Sequence, residues 1–245
     1  MFLSPPRWFA HRGGGSLAPE NTLAGIRLAS RLGYRAVEFD VMLSGDASPF
    51  LLHDETLERT TNGRGLVCQT SDAVLRCLDA GGGEPPPTLA EAAQLCRASH
   101  LLANVEIKPS SGFAVQTAEV VVRQAQQLWL GADLPPLLSS FSIEALEIAR
   151  DLAPALPRAV LFETIPDDWL CIVQQLGAVA VHCCAEQLDE NLARDIVDRN
   201  ILLRCYTVNA PETAKSLFAL GVSGLFTDRL DLFAPTPSSG MQSAA

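Results

Sequence analysis

The chain has 245 residues, 48% of them apolar, and a formal net charge of −10. That length is ample for one large core, and no apolar run approaches the roughly 18 residues needed to cross a bilayer, so no stable membrane association is expected. The acidic balance offers no basic footprint for a phosphate backbone, and nucleic acid is not an expected partner.

The N-terminal Met1-Phe2-Leu3-Ser4-Pro5-Pro6 has no basic segment followed by an apolar one, so no secretory leader is expected and the predicted setting is cytoplasmic. Seven cysteines are an odd count without Cys-x-x-Cys, and Cys183-Cys184 lies in an apolar run. Neither a disulfide framework nor a structural zinc site is expected, and most thiols are predicted to be small core residues.

Apolar, β-branched runs predict strands at 8–10, 36–41, 50–52, 101–107, 137–141, 159–162, 178–182, 201–208 and 224–227. Most are separated by predicted helices at 22–32, 114–130, 142–152, 167–176, 190–199 and 211–220. Such alternation points to an α/β fold with a parallel sheet. Nine strands are one more than a closed eight-stranded barrel holds. Residues 42–49, centred on Ser44-Gly45-Asp46-Ala47-Ser48, are too few for a parallel crossover and suit an antiparallel hairpin. The predicted fold is therefore a TIM-type (β/α)8 barrel with an extra antiparallel strand after the second strand and a small insertion. A hairpin centred near Asp46 sets His53 opposite Phe39, beside Glu38 and Asp40.

Residues 55–100 are the least barrel-like segment, with glycines at 81–83 and prolines at 85–87. They are predicted to form a partly helical insertion over the barrel mouth, with Thr88-Leu89-Ala90-Glu91 as a capping box. A single domain over 1–233 is expected, followed by a disordered tail at 234–245.

Candidate chemistry gathers where strands end, the end at which barrels keep their sites. Glu38 and Asp40 are two apart on one strand and share a face. Two such carboxylates repel unless a cation or a shared proton intervenes, and a hard divalent ion such as Mg2+ or Ca2+ suits oxygen ligands. Glu106 and Lys108 repeat the device on a later strand, the first able to complete a metal site and the second to hold a phosphate oxygen. His11 and His53 each sit at a strand end beside a charged residue, where an imidazole can act as acid or base, or bind the metal. Arg12 has the fork geometry that suits a phosphate. Gly13–Gly15 permit a close approach to a ligand or a tight turn. Asn21 or Thr22 can cap the following helix, and Glu20 belongs either to that first turn or to the site. Phe141 and Tyr206 are candidates for the pocket wall or for core packing. His100 carries no role, and His182 is expected to be structural.

Several of these segments together resemble the glycerophosphodiester phosphodiesterase family. They are His11-Arg12-Gly13, Pro19-Glu20-Asn21-Thr22, Glu38-Phe39-Asp40-Val41, His53-Asp54, Leu57-Glu58-Arg59-Thr60-Thr61-Asn62-Gly63, Glu106-Ile107-Lys108-Pro109, Leu138-Ser139-Ser140-Phe141 and Tyr206-Thr207-Val208-Asn209. The likeness spans about residues 7–232 and is nearest to the short cytoplasmic bacterial enzymes. It implies hydrolysis of glycerophosphodiesters to sn-glycerol 3-phosphate and an alcohol. By this resemblance Glu38, Asp40 and Glu106 would bind the metal, His11 and His53 would be the acid/base pair, and Arg12 and Lys108 would contact the phosphate. Tyr206 stands where many relatives carry tryptophan, a change that bears on pocket shape. Two other readings fit the same residues: a lysophospholipase D-like enzyme, or a barrel that binds a phosphorylated metabolite without catalysis. The sequence leaves open the headgroup, the choice of Mg2+ or Ca2+, the order in which the histidines act, the attacking hydroxyl (water or the glycerol 2-hydroxyl) and the oligomeric state.

Overall fold

In chain order the elements are β1 (Trp8–Ala10), α1 (Leu23–Arg31), β2 (Ala36–Leu43), β3 (Pro49–Leu51), α2 (Asp72–Leu75), α3 (Leu89–Ala98), β4 (Leu102–Ile107), α4 (Ala114–Leu128), β5 (Leu137–Ser140) and α5 (Ile143–Leu152). They continue with β6 (Arg158–Phe162), α6 (Trp169–Leu176), β7 (Ala180–Cys184), α7 (Glu190–Asp198), β8 (Leu202–Tyr206), α8 (Pro211–Ala219), β9 (Gly224–Thr227) and α9 (Leu230–Phe233). The computed structural model describes residues 6–234. The expected absence of a leader, and the expected tail at 234–245 beyond its first residue, concern residues outside them.

Strands β1, β2 and β4 to β9 pair in parallel, and the β1–β2 pairing closes the barrel. β3 lies outside the ring, antiparallel to β2, with Val41 opposite Leu51 and Met42 opposite Phe50. Continued by two residues, that register sets His53 opposite Phe39, as the loop length predicts. A short turn can reverse the chain but cannot carry it back to a parallel start.

Alternation along each strand divides two environments. On β2 all eight residues are buried. Val37, Phe39 and Val41 face the helices in the outer core with Ile26, Leu89 and Val121, while Glu38 and Asp40 face inward. Inside the barrel, the N-terminal strand ends are plugged by Leu137, Ala159 and Ala180, with Leu202 against them. Polar side chains enter the interior above that layer.

Segment 55–100 divides differently from its expected outline. Thr88 and Glu91 do form the capping box, but the helix it starts, α3, packs Leu89, Ala92, Ala93 and Cys96 into the outer core beside α1 and α4. The insertion proper thus ends at the start of α3. Its smaller core joins Leu57, Val67 and Leu75 to Met42, Phe50 and Leu52 on the hairpin, which fixes His53 and the residues after it at the barrel mouth. All seven cysteines are free. Only Cys96, Cys183 and Cys205 are fully buried, fewer than composition suggests, because Cys77 lies exposed in the turn after α2 and Cys171 on the outward face of α6.

Candidate active site

The parallel register of β2 and β4 sets Glu38 beside Asn104 and Asp40 beside Glu106. Carboxylate oxygens of Glu38, Asp40 and Glu106 lie within 4.8 Å of one another. These three side chains are deeply sunk, with residue exposures of only 4%, 2% and 7%. Burial, reinforced by the charges of Asp40 and Glu106, holds the Glu38 carboxyl well above its ordinary range. Burial and the Asp40 charge push Glu106 up to about 8. Burial also acts on Asp40, but Lys108, His53, Arg12 and the Asn21 amide outweigh it and hold that group low. Glu38 Oε1 has no hydrogen-bond partner. A hard divalent cation would supply that partner and relieve the repulsion, and an all-oxygen donor set fits one.

Each basic residue reaches the cluster from a strand end. Arg12 follows β1 in a turn of positive φ, its backbone N donating to Glu38 Oε2 at 2.9 Å and its Nε lying 3.8 Å from Asp40 Oδ2. Lys108 follows β4, with Nζ 3.5 Å from Asp40 Oδ1 and 3.6 Å from Glu106 Oε1.

The two imidazoles approach different members of the cluster. His11 Nδ1 donates to Asp228 Oδ1 at 2.7 Å, leaving Nε2 3.9 Å from Glu38 Oε2. His53 Nδ1 donates to Asp54 Oδ1 at 2.6 Å, and its Nε2 lies 2.6 Å from Lys108 Nζ. An ammonium only donates, so His53 Nε2 is the acceptor and the ring is neutral. Burial, aided by Lys108 and Arg12, lowers the His53 pKa despite Asp40 and Asp54 nearby. His11, Arg12, Glu38, Asp40, His53, Glu106 and Lys108 all line one cavity.

Over residues 11–232 the chain matches the profile of the Glycerophosphoryl diester phosphodiesterase family. The chain belongs to that family. A glycerophosphodiester phosphodiesterase of Caldanaerobacter subterraneus subsp. tengcongensis is 29% identical over 227 residues, covering 89% of this chain and 92% of its own. One of Bacillus altitudinis is 31% identical over 231 residues, covering 90% and 93%. Among solved structures, a phosphodiesterase of Oleispira antarctica in complex with the product sn-glycerol-3-phosphate superposes with a TM-score of 0.88 at 36% identity, covering 91% of this chain and 93% of its own.

Other residues complete the site of this glycerophosphoryl diester phosphodiesterase family member. Asp228, one residue beyond β9, is held by both His11 and Asn209. Asp54 and Arg59 extend the His53 pair outward, and Arg59 also grips Glu20 through both terminal nitrogens. Glu20 accepts from Arg12 Nη1 at 2.9 Å, so it belongs to the site's rim and not to a helix cap. Thr22 is the cap, accepting from Gly25 N. Asn21 instead clamps Asp40, donating to Oδ2 at 2.9 Å and accepting from its backbone N at 3.1 Å.

The glycine run is a packing device. A Cβ on Gly14 would meet Gly25 Cα at 2.9 Å, and one on Gly15, at φ +55°, would strike Asp228 O at 2.3 Å. Phe141 and Tyr206 line the cavity edge to face at 6.0 Å between centroids, and the Tyr206 hydroxyl donates to Phe162 O. His100 is exposed beyond α3, away from the site. His182 lines the cavity with no exposed surface.

Proposed function

We propose that the chain hydrolyses glycerophosphodiesters to sn-glycerol 3-phosphate and an alcohol, using Mg2+ or Ca2+ held by Glu38, Asp40 and Glu106. The observation that carries this reading is three buried carboxylates converging beneath two carboxylate-anchored imidazoles and two cations in one cavity. The product bound to the Oleispira antarctica phosphodiesterase supports the same substrate class. Among the described residues no helix is long and apolar enough to cross a membrane. Seven free thiols favour a reducing, cytoplasmic setting.

A divalent cation, when bound, polarises phosphoryl oxygens and lowers the pKa of an attacking hydroxyl. The chain's own groups do the rest. Arg12 and Lys108 neutralise charge growing on the phosphoryl oxygens as the transition state forms. Lys108, released from His53 Nε2 as it turns to a phosphoryl oxygen, uncovers a lone pair that can take the proton of the attacking hydroxyl. Asp54 stabilises the imidazolium so formed. His11, aligned by Asp228, delivers a proton through Nε2 to the departing alkoxide. Asn21 keeps Asp40 in its ligand orientation while these charges move.

The test is release of glycerol 3-phosphate from glycerophosphocholine and glycerophosphoethanolamine, and of choline from lysophosphatidylcholine, with chelator and with Mg2+ or Ca2+ restored. Turnover of the first two that vanishes with chelator and returns with metal is expected. Unchanged turnover in chelator would remove the metal from the reading. No release from any glycerophosphodiester would remove the activity itself.

A further inference from the structure

Val181 and Cys183 on β7 pack into the outer core, so His182 between them faces the barrel interior. Its position two residues before the strand end places it below the charged residues of the site, yet it lines the same cavity. Arg204, its register partner on β8, has Nη1 3.2 Å from His182 Nε2. A guanidinium has no acceptor, so Nε2 must accept and the imidazole proton resides on Nδ1. Burial and the Arg204 charge both favour that neutral form. Arg204 is itself fixed, its guanidinium lying 4.8 Å from the Phe9 ring centre.

The result is a donor of settled direction, His182 Nδ1–H, buried and without a partner. A complementary group lines the same cavity. Asn104 Nδ2 donates to Ser139 Oγ at 2.9 Å, which leaves Asn104 Oδ1 as a buried acceptor, also without a partner. Leaving both groups dry costs free energy, and an apolar occupant would do that. A phosphoryl oxygen could accept from His182 but would be repelled by Asn104 Oδ1. An alcohol hydroxyl is both donor and acceptor and suits either group.

Resting on the hydrolase reading above, we propose that His182 is a specificity residue for the polyol part of the substrate. Its Nδ1–H donates to a glycerol hydroxyl oxygen, Asn104 Oδ1 accepts from a glycerol hydroxyl, and Arg204 is the positioning residue that fixes the tautomer. Sites built to hydrogen-bond a hydroxyl discriminate strongly against analogues that lack it. The phosphate end is then read by Arg12 and Lys108, and the hydroxyl end by a neutral pair deeper in the barrel.

The experiment is calorimetric binding to the Mg2+-loaded protein of sn-glycerol 3-phosphate and of ethyl phosphate, which carries the same phosphate without the two hydroxyls. In His182→Leu the preference for glycerol 3-phosphate should shrink about tenfold, with ethyl phosphate affinity kept. His182→Gln, which retains an acceptor for Arg204 and a donor for the cavity, should restore the preference. Should His182→Leu fail to fold, Asn104→Ala carries the same expectation. A preference unchanged in the deletion variant, or both ligands weakened alike, would overturn the assignment and leave His182 structural. Turnover of glycerophosphocholine by the wild-type protein reads the hydrolase assignment separately, so either can fail alone.

Discussion

The two arcs of the barrel solve opposite problems. From β1 to β4, including the hairpin strand, the inner wall carries three carboxylates, two imidazoles and two cations, and its charges are only partly balanced. From β5 to β9 the wall is mostly apolar or neutral, and Arg204, buried on its inner face, meets His182 and a ring face. The first arc holds electrostatic tension that a cation and an anionic substrate can discharge. The second carries far less charge, and it contributes shape, Asp228 and a neutral donor still without a partner. Function follows the unbalanced arc, because a charge with its partner already in place has little left to offer a ligand.

The most severe way to break this contrast is Glu38→Gln. With that carboxylate's charge removed, turnover should fall by roughly 10³-fold or more, while the metal-free protein melts at a higher temperature because a buried repulsion has gone. Its neighbour Phe39 faces the other way and is fully buried. Phe39→Ala should cost about 3–5 kcal/mol of stability through the cavity it leaves. Two adjacent residues thus give opposite signs in a thermal melt. The tension also has a pH signature. Glu106 titrates near 8 when folded but near its ordinary value of 4.5 when unfolded. Between those values the folded state binds the extra proton, so metal-free stability falls as pH rises through that window and levels off above it. Added metal should stabilise most at the upper end. A metal-free melt that is flat with pH, or a lower melting temperature for Glu38→Gln, would contradict the picture.

A milder break targets the imidazole anchors. Asp228→Asn and Asp54→Asn should each lower kcat by roughly 10²-fold with little change in KM, since an amide can hold the wrong tautomer. Equal activity of either variant with the wild type would show that its imidazole needs no anchor.

These two anchors also show where sequence reading stops. Asp54 adjoins His53 within one of the family-like segments, so it is visible in the sequence but without a role. Asp228 lies 217 residues from His11, and only the β1–β9 pairing brings them together. A polar residue just past a strand is the one local signal it gives, and many such residues are solvated. Asn21 was ambiguous for a related reason, because the side chain that caps a helix is also the kind that clamps a carboxylate. The strands, the hairpin and its register were legible because each follows from spacing that the chain imposes on itself. Helix α3 reads from sequence as part of the insertion because proline and glycine at 81–87 mask the return to barrel periodicity. The glycine run was legible as a turn, but the atoms it makes room for belong to α1 and Asp228.

The smallest effect is expected at Arg59, which joins Asp54 to Glu20 across the mouth and is half exposed. Arg59 holds Asp54 well below the usual carboxylate range, mainly through their hydrogen bonds. It also supports Glu20, which in turn steadies the Arg12 guanidinium. Exposed pairs of this kind contribute little stability, so Arg59→Ala should leave the melting temperature nearly unchanged. Its consequence is instead a looser Arg12 and a less firmly ionised Asp54. KM should rise about two- to fivefold, with a smaller fall in kcat, and the effect should fade in high salt as the wild-type network is screened. A loss as large as that of Asp54→Asn would instead place Arg59 on the substrate and move the boundary of the charged arc outward into the insertion.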